Sequence, residues 1–455
     1  MTEPADARLR VAIIGSGPAG SYAAGHLLRH SANELHVDLF ERLPTPWGLV
    51  RAGVAPDHPK IKSVTNLYER TAEHPRLRLF ANVEFGKHLT LEDLRRHYHA
   101  IIYAVGTPTD RAMGIPGEEL AGSYAATDFV GWYNGHPDFR EREFDLSGER
   151  VVVIGAGNVA LDVARMLVLT RAELEVTDVA DHALEVLSSS GVREVVVIAR
   201  RGPAQAAYTN PELRELGELS AADVIVDPAE LALADGLEDP RADPTALRNV
   251  EILREYSTRP PHGHDRRVVL RFLLSPLSLH GAGAVERLTL ARNELVASAD
   301  GSLRARATGE QLELPVGAVF RAIGYRGTPL ADVPFDSERE LIANVGGRVR
   351  RGEYVVGWAK RGPSGVIGTN KKDANETVDA LLEDLAAGRL LDPEPISDAA
   401  LEQFVRERQP QFVDYGNWLA LDSHERGLGE PAGRPRVKLT TIAEMLAAIG
   451  WGGDD

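Results

Sequence analysis

Two short glycine-rich stretches hold the residues in this chain best suited to chemistry. The first is Gly15-Ser16-Gly17-Pro18-Ala19-Gly20 and the second is Gly155-Ala156-Gly157-Asn158-Val159-Ala160. In such a stretch the first glycine permits a tight turn and the second lets backbone approach a pyrophosphate. The third small residue lets the following helix pack on the preceding strand. The N–H groups at the helix start, with the positive end of its dipole, are then free to meet the phosphates. Both stretches read as dinucleotide sites. A glycine-rich turn alone is a weak signal, so the residues around each one decide its meaning.

After the first stretch, the apolar run LHVDLFER ends in Glu41, about 20 residues beyond Gly20. A carboxylate there accepts hydrogen bonds from ribose hydroxyls and repels a 2′-phosphate. A plain glycine turn with a surface glutamate is the alternative, and the strand, the Ala-rich helix and the acid together argue against it. After the second stretch, EVVVIARRG ends in Arg200 and Arg201 instead of an acid. Two guanidiniums offer the forked, charge-assisted donors that a 2′-phosphate needs. A solvated basic turn is the alternative, disfavoured by the position at a strand end. The long interval from Ala160 to Arg200 implies an insertion after the helix. Asn210-Pro211-Glu212 reads as an N-cap, a first-turn proline and an early acid, on a helix carrying Glu212 and Glu215 near its start. Taken alone, these are ordinary helix-start acids.

The elements that must position these residues follow from the same pattern. VAIIGSGPAGSYAAG from Val11 and VVVIGAGNVALDVAR from Val151 each run from a β-branched strand through a glycine turn into a helix. Between them the sequence predicts a helix from Thr90 to about His99, started by Thr90 and Asp93, and a strand in Ala100 to Gly106. AVFRAIGYRG closes the second half near Gly324. Strands alternating with helices argue for parallel sheets and an α/β class. Pro- and Gly-rich connections near 107–117 and 324–334 are crossing points, which predicts one domain from 1–109 plus 325–455 and a second, 110–324, inserted into it. Segment 228–250 reads as a surface excursion. Gly362 to Gly365 precede a long helical pattern, and TTIAEMLAAIG predicts a last short helix with Thr441 and Glu444 as a capping box.

Composition sets outer bounds. The 455 residues suffice for two or three domains at roughly 150 residues each. A formal charge of −16 argues against nucleic-acid or anionic-membrane binding. With no cysteine, the chain has no disulfide, no redox-active thiol pair and no thiolate-held zinc or iron–sulfur cluster. No metal site is expected: His262-Gly263-His264 lacks further ligands and reads as a solvated loop, and His97 and His99 receive no chemistry. No apolar signal core opens the chain and no stretch nears the roughly 18 apolar residues of a membrane span, so a cytoplasmic protein without membrane insertion is expected.

Four blocks carry a family resemblance. They are LPTPWGLVRAGVAPDHPKIKSV from Leu43, GAGNVALDVAR, ARRGPAQAAYTNPELRE, and EYVVGWAKRGPSGVIGTNKKDA from Glu353. In this order they resemble, nearly residue for residue, the adrenodoxin-reductase type of ferredoxin–NADP reductase, from about Val11 to Leu382. The resemblance implies two Rossmann-like, glutathione-reductase-like domains, with an NADPH domain inserted into a discontinuous FAD domain. It implies that NADPH gives a hydride to FAD and that single electrons then pass to a ferredoxin-type iron–sulfur protein. FAD contacts are implied at Ala19, Glu41, Leu49, Val83, Trp358, Gly365, Val366 and Ile367, beside Gly15, Gly17 and Gly20. NADPH contacts are implied at Arg111, Arg200, Arg201 and Glu212, beside Gly155, Gly157, Asn158, Val159 and Ala160. His58, Glu215 and Asp162 match positions with catalytic or proton-handling roles. Asn210-Pro211 and Tyr208 depart from the family pattern. An acidic ferredoxin would need a local basic face on this acidic chain, with Arg266 and Arg267 as candidates. Two rival readings share the cofactor sites: an NADPH diaphorase or quinone reductase without a dedicated protein acceptor, and an NADPH-responsive redox sensor. The oligomeric state is left open.

Overall fold

A computed structural model describes residues 8–29, 35–232, 244–298, 302–365 and 367–451. The chain divides into two compact units, one running to Thr109 and resuming at Tyr325, the other Asp110–Gly324.

The first unit is built on a six-stranded sheet in the order Arg348–Arg350, Glu353–Val355, Ala100–Tyr103, Leu9–Ile14, Leu35–Phe40, Leu77–Phe80. Neighbours are parallel except the outermost pair, where Arg348–Arg350 runs antiparallel. Continuous apolar runs suit strands covered on both faces, and side-chain alternation splits them into two layers. Val11, Ile13, Val37 and Ile102 pack in one cluster, while Ala12, Ile14, Phe40 and Ile101 pack in the other. Helices Pro18–Arg29 and Ile367–Ala386 lie against each other beside the first layer. The Thr90 and Asp93 capping box is present and starts helix Leu91–His97; the Thr441 and Glu444 box starts helix Ile442–Ala448.

Two acids sit inside this sheet, each with cationic and phenolic partners. Asp38 accepts bonds from Arg78 Nε and Nη2, both 2.7 Å, and from the Tyr98 hydroxyl at 2.7 Å. Glu353 is fully buried and accepts from Arg95, from Arg350 at 2.8 Å and from the Tyr103 hydroxyl at 2.9 Å. A buried carboxylate is tolerable only when paired in this way.

The second unit carries a six-stranded, all-parallel sheet in the order Ser123–Ala125, Ala318–Arg321, Arg150–Ile154, Glu194–Ile198, Arg266–Arg271, Ala222–Val226. Its glycine-turn strand lies between the strand that closes the unit and the strand that ends before the two arginines. The insertion after Ala160 contains the short helices Arg171–Leu174 and Asp181–Ser188. An antiparallel sheet of Leu274–His280, Arg287–Ala297 and Leu303–Pro315, which the sequence pattern did not separate, completes the unit.

Two local expectations need correction. Segment 228–250 is helical in its described parts, Pro228–Ala232 and Pro244–Thr258, and residues 233–243 lie outside the described residues. Glu230 within it is buried, accepting from Arg271 Nε at 2.8 Å and Phe272 N at 2.9 Å. Those partners are forty residues away, so local composition hid them. The N-cap position of helix Asn210–Leu216 is Thr209, whose side chain makes no capping bond, and not Asn210, whose amide instead donates to Thr245 O and Asn249 Oδ1 at 2.9 and 2.7 Å. His262, Gly263 and His264 form a turn whose backbone N–H groups donate to Asp223 at 2.8–3.0 Å. Among the described residues no helix is long and apolar enough to cross a membrane.

Asp384 gives this fold a measurable acid limit. It accepts from Arg348 Nε at 2.9 Å, Arg389 Nη2 at 2.6 Å and the Tyr354 hydroxyl at 2.9 Å. Burial acts to raise its pKa, but these donors outweigh it and hold the carboxyl at about 2. An unfolded aspartate titrates near 3.9, so the folded value is depressed and the stabilisation is complete above about pH 4 and lost as pH falls toward 2. Urea unfolding at stepped pH is expected to show this loss, and Asp384→Asn should flatten it. An unchanged slope in the variant would mean that the Asp384 charge does not support the fold.

Candidate active site and nucleotide-binding loops

In the first unit the three glycines divide their work. Gly15 has φ +107°, and a Cβ there would come within 2.5 Å of the Ala104 carbonyl oxygen. A Cβ on Gly20 would run into the Gly15 carbonyl. Gly17 differs, since a Cβ on it would meet nothing nearer than Gly48 Cα at 3.9 Å. Two glycines therefore serve packing and the middle one leaves open backbone at the start of helix Pro18–Arg29, where Ala19 is buried.

Glu41 is woven into this loop. Its Oε2 accepts from Ser16 N at 3.1 Å and Ser16 Oγ at 2.7 Å, and its Oε1 accepts from Leu43 N at 3.1 Å. A carboxylate has about four acceptor positions, so one further hydroxyl fits. Sequence reasoning gave Ser16 no part; its hydroxyl also accepts from Trp47 N at 3.2 Å and ties the turn to the 47–52 segment. There Leu49 opens helix Leu49–Ala52 with an exposed side chain, and Arg51 donates to the fully buried Glu425 at 2.9 and 2.6 Å. Val83 is buried, its N–H on Glu41 O at 2.8 Å. Trp358 opens helix Trp358–Arg361 with its ring 5.4 Å from Tyr325, and its buried indole N–H has no hydrogen-bond partner among the described residues. Gly365, at φ +80°, precedes the twenty-residue helix that starts at Ile367, while Val366 lies outside the described residues. His58 is buried at the start of helix Pro59–Lys62. Open glycine backbone, a carboxylate with spare capacity and a buried unmatched donor together fit a bound dinucleotide.

The second unit repeats the turn. Gly155 has φ +142° and a Cβ there would strike the Ala322 carbonyl, whereas Gly157 has nothing within 4 Å. Val159 is half-buried and Ala160 is buried in the third place. Asn158 Oδ1 accepts from Thr209 N at 2.8 Å and Ala207 N donates to Ala156 O at 2.7 Å, which hold segment 206–209 against the turn. Arg165, unremarked in the sequence, draws three expected residues together. Its Nη2 lies 2.8 Å from Asp162, and its Nη1 lies 3.7 Å from Glu212 and 3.9 Å from Glu215. The Asp162 to Arg165 spacing was a usable helical signal, but the two glutamates arrive from a helix some fifty residues later. Arg111 is exposed, its N–H on Gly324 O at 3.2 Å.

Arg200 is exposed and Arg201 half-buried, and among the described residues neither guanidinium has a carboxylate partner. Burial lowers the Arg201 pKa and the neighbouring Arg200 charge lowers it further. Such a pair is a ready anion site. Arg266 and Arg267 do not form the free basic face expected of them: Arg266 donates to the Val168 and Leu169 carbonyls at 3.2 and 2.8 Å, and Arg267 pairs with Glu194 at 2.6 Å.

The chain is 52% identical to the NADPH-ferredoxin reductase FprA of Mycobacterium leprae, over 97% of this chain and 98% of that one. This chain belongs to the ferredoxin–NADP reductases of the adrenodoxin-reductase type. The reductase is also 41% identical to the mitochondrial NADPH:adrenodoxin oxidoreductase of Salvelinus fontinalis, over 96% of its own length and 90% of that protein's. The solved structure of Mycobacterium tuberculosis FprA in complex with NADPH matches it with a TM-score of 0.94 at 50% identity, over 97% of this chain and 99% of that one. A family model described as pyridine nucleotide-disulphide oxidoreductase matches residues 9–202. Without a cysteine, the reductase shares that family's nucleotide-binding scaffold but not a disulfide.

The division of labour among the glycines is testable. With cofactors stripped, Gly20→Ala is expected to destabilise this reductase by about 1–3 kcal/mol, as overpacking does. Gly17→Ala should stay within about 0.5 kcal/mol of the parent. Equal losses in chemical denaturation would show that Gly17 is packed in as tightly as Gly20.

Proposed function

We infer that this reductase takes a hydride from NADPH bound on the Asp110–Gly324 unit to FAD bound on the other, and delivers single electrons to a ferredoxin-type iron–sulfur protein. One contrast carries the reading. Two turns of matching geometry end in opposite charge: Glu41 hydrogen-bonded into the first loop, Arg200 and Arg201 without an acid partner among the described residues at the second. An acid suits the unsubstituted adenosine ribose of FAD, and two guanidiniums suit the 2′-phosphate of NADPH.

Bound FAD supplies the exchange between two-electron and one-electron chemistry. The chain's own residues bind, orient and shield. Gly15, Gly17, Ala19 and Gly20 would present the helix start to the FAD pyrophosphate, and Glu41 would accept a ribose hydroxyl in its remaining position. Leu49 and Val83 would cover the cofactor. Trp358 and the segment Gly365, Val366 and Ile367 would meet its ring end, where the N-terminus of a long helix favours negative charge. In the other unit, Gly155, Gly157, Asn158, Val159 and Ala160 would receive the NADPH pyrophosphate, with Arg111 and Glu212 as further contacts. Asp162, Glu215 and His58 are assigned the handling of protons, and Arg165 gives Asp162, Glu212 and Glu215 a shared counter-charge. With no cysteine, the chain's own residues supply no thiol relay between bound FAD and an acceptor. The names of both relatives, NADPH-ferredoxin reductase and NADPH:adrenodoxin oxidoreductase, support an iron–sulfur protein as partner. A cytoplasmic setting is part of this reading and rests on the need for NADPH.

NADPH-driven cytochrome c reduction is expected to depend strongly on added low-potential ferredoxin and to prefer NADPH over NADH. Equal rates without ferredoxin would make the chain a diaphorase. Negligible turnover with every acceptor, alongside NADPH-dependent binding of a partner, would make it a sensor. Replacing Arg200 and Arg201 with alanine should raise KM for NADPH about 100-fold, as loss of two charge-assisted contacts does, and leave NADH turnover in place.

A further inference from the structure

The backbone that carries Arg200 and Arg201 is held from behind in an unusually complete way. Three successive carbonyls leave strand Glu194–Ile198, and each is taken by a donor from the adjoining antiparallel sheet or its leading turn. Leu274 N donates to Ala199 O at 3.0 Å, the Asn293 amide to Arg200 O at 2.9 Å, and Leu273 N to Arg201 O at 3.1 Å. Asn293 is itself fixed: its amide nitrogen also reaches Ser275 Oγ at 2.8 Å, and its backbone N–H donates to Leu273 O at 2.7 Å. It is buried beside a bulge in strand Arg287–Ala297. Because a carbonyl only accepts, the nitrogen side of the amide must face Arg200 O. Leu273 adopts φ +58°, a left-handed conformation that a leucine keeps only when its surroundings impose it.

The side chain of Arg200 is exposed and makes no hydrogen bond or ion pair among the described residues, so its direction is set by its own backbone. Arg201 has a single side-chain tether, Nη2 to Gln205 O at 3.3 Å. Two adjacent cations also repel, and holding both toward one anion requires a fixed peptide plane between them. Asn293 is the only side chain among the three clamps; the other two are backbone donors that no substitution removes without altering the chain path.

We propose that Asn293 is a positioning residue for coenzyme choice, holding the Arg200–Arg201 peptide so that both guanidiniums converge on one phosphate. This rests on the reading of those arginines as the 2′-phosphate site. Forked guanidinium–phosphate bonding is strict in angle, so loosening the peptide weakens the 2′-phosphate contact while sparing the rest of the nucleotide.

The test is calorimetric titration of the holoenzyme with adenosine 2′,5′-bisphosphate and with adenosine 5′-monophosphate, beside KM and kcat for NADPH and NADH. Asn293→Ala is expected to raise the bisphosphate Kd and the NADPH KM about tenfold, equivalent to about 1.4 kcal/mol. The monophosphate Kd, the NADH constants and kcat should stay within twofold. Asn293→Asp, which keeps the volume but sets an acceptor against the Arg200 carbonyl, should reproduce the effect and carries the test if the alanine variant folds poorly. Unchanged discrimination in both variants overturns the proposal, as does an equal loss for both nucleotides, which is the mark of a merely structural residue. The Arg200→Ala, Arg201→Ala double variant separates the two levels. If it abolishes discrimination while the Asn293 variants keep it, the clamp is wrong and the phosphate site stands; if it keeps discrimination, the site reading and the clamp fall together.

Discussion

Uncharged backbone can hold a pyrophosphate only if no side chain stands between the phosphates and a helix start, and the glycine turn of each unit leaves that approach open. The turn must double back under the helix, so the strand on its other side comes within contact of the first glycine. That is why a methyl at Gly15 would meet Ala104 and one at Gly155 would meet Ala322, each the residue that directly follows the neighbouring strand. The third position shows how tightly the rule is applied. In the first unit the helix sits so low that Gly20 cannot carry a Cβ, whereas the second unit accommodates Ala160 there. One pattern therefore tolerates two stand-off distances, and the middle glycine is the position that stays open in both.

Charge is arranged around these turns by a different logic. Ionised groups lose hydration when buried, so acids inside the first unit are found with guanidiniums, one of each set from a distant segment: Asp38 with Arg78, Glu353 with Arg95 and the adjacent Arg350, Glu425 with Arg51 and the nearer Arg436. Such pairs add little net stability, because desolvation offsets their attraction, but each penalises any register in which the partners separate. Glu425 is instructive, since it fastens the chain's last helices to the segment beside the first glycine turn. Arg200 and Arg201, by contrast, are adjacent cations with no carboxylate partner among the described residues, an arrangement suited to an anion.

Much of the fold was legible because its signals are local. Strand, glycine turn and helix follow one another within about thirty residues, so spacing and residue type located the two glycine turns. Capping boxes at Thr90 and Thr441 depend on residues three apart and were correct. The cap before helix Asn210–Leu216 was misread by one residue because Asn210 answers to Asn249, a partner that no local pattern reveals. The burial of Glu230 and the occupation of Arg266 and Arg267 were hidden for the same reason.

The sequence by itself determined the class of fold, the two glycine turns, the sign of the charge after each, and the family. These rest on period, spacing and residue type, which act over one or two elements. Only the tertiary structure decided that Ser16 joins Glu41 to the first turn, that Arg165 gathers Asp162, Glu212 and Glu215, and that Asn293 grips the peptide between the two arginines. Apart from the Arg165–Asp162 pair within one helix, each is a hydrogen bond or ion pair between residues far apart along the chain or on different elements. Its geometry exists only once the sheets have set their register, and a buried polar group can choose its partner only then.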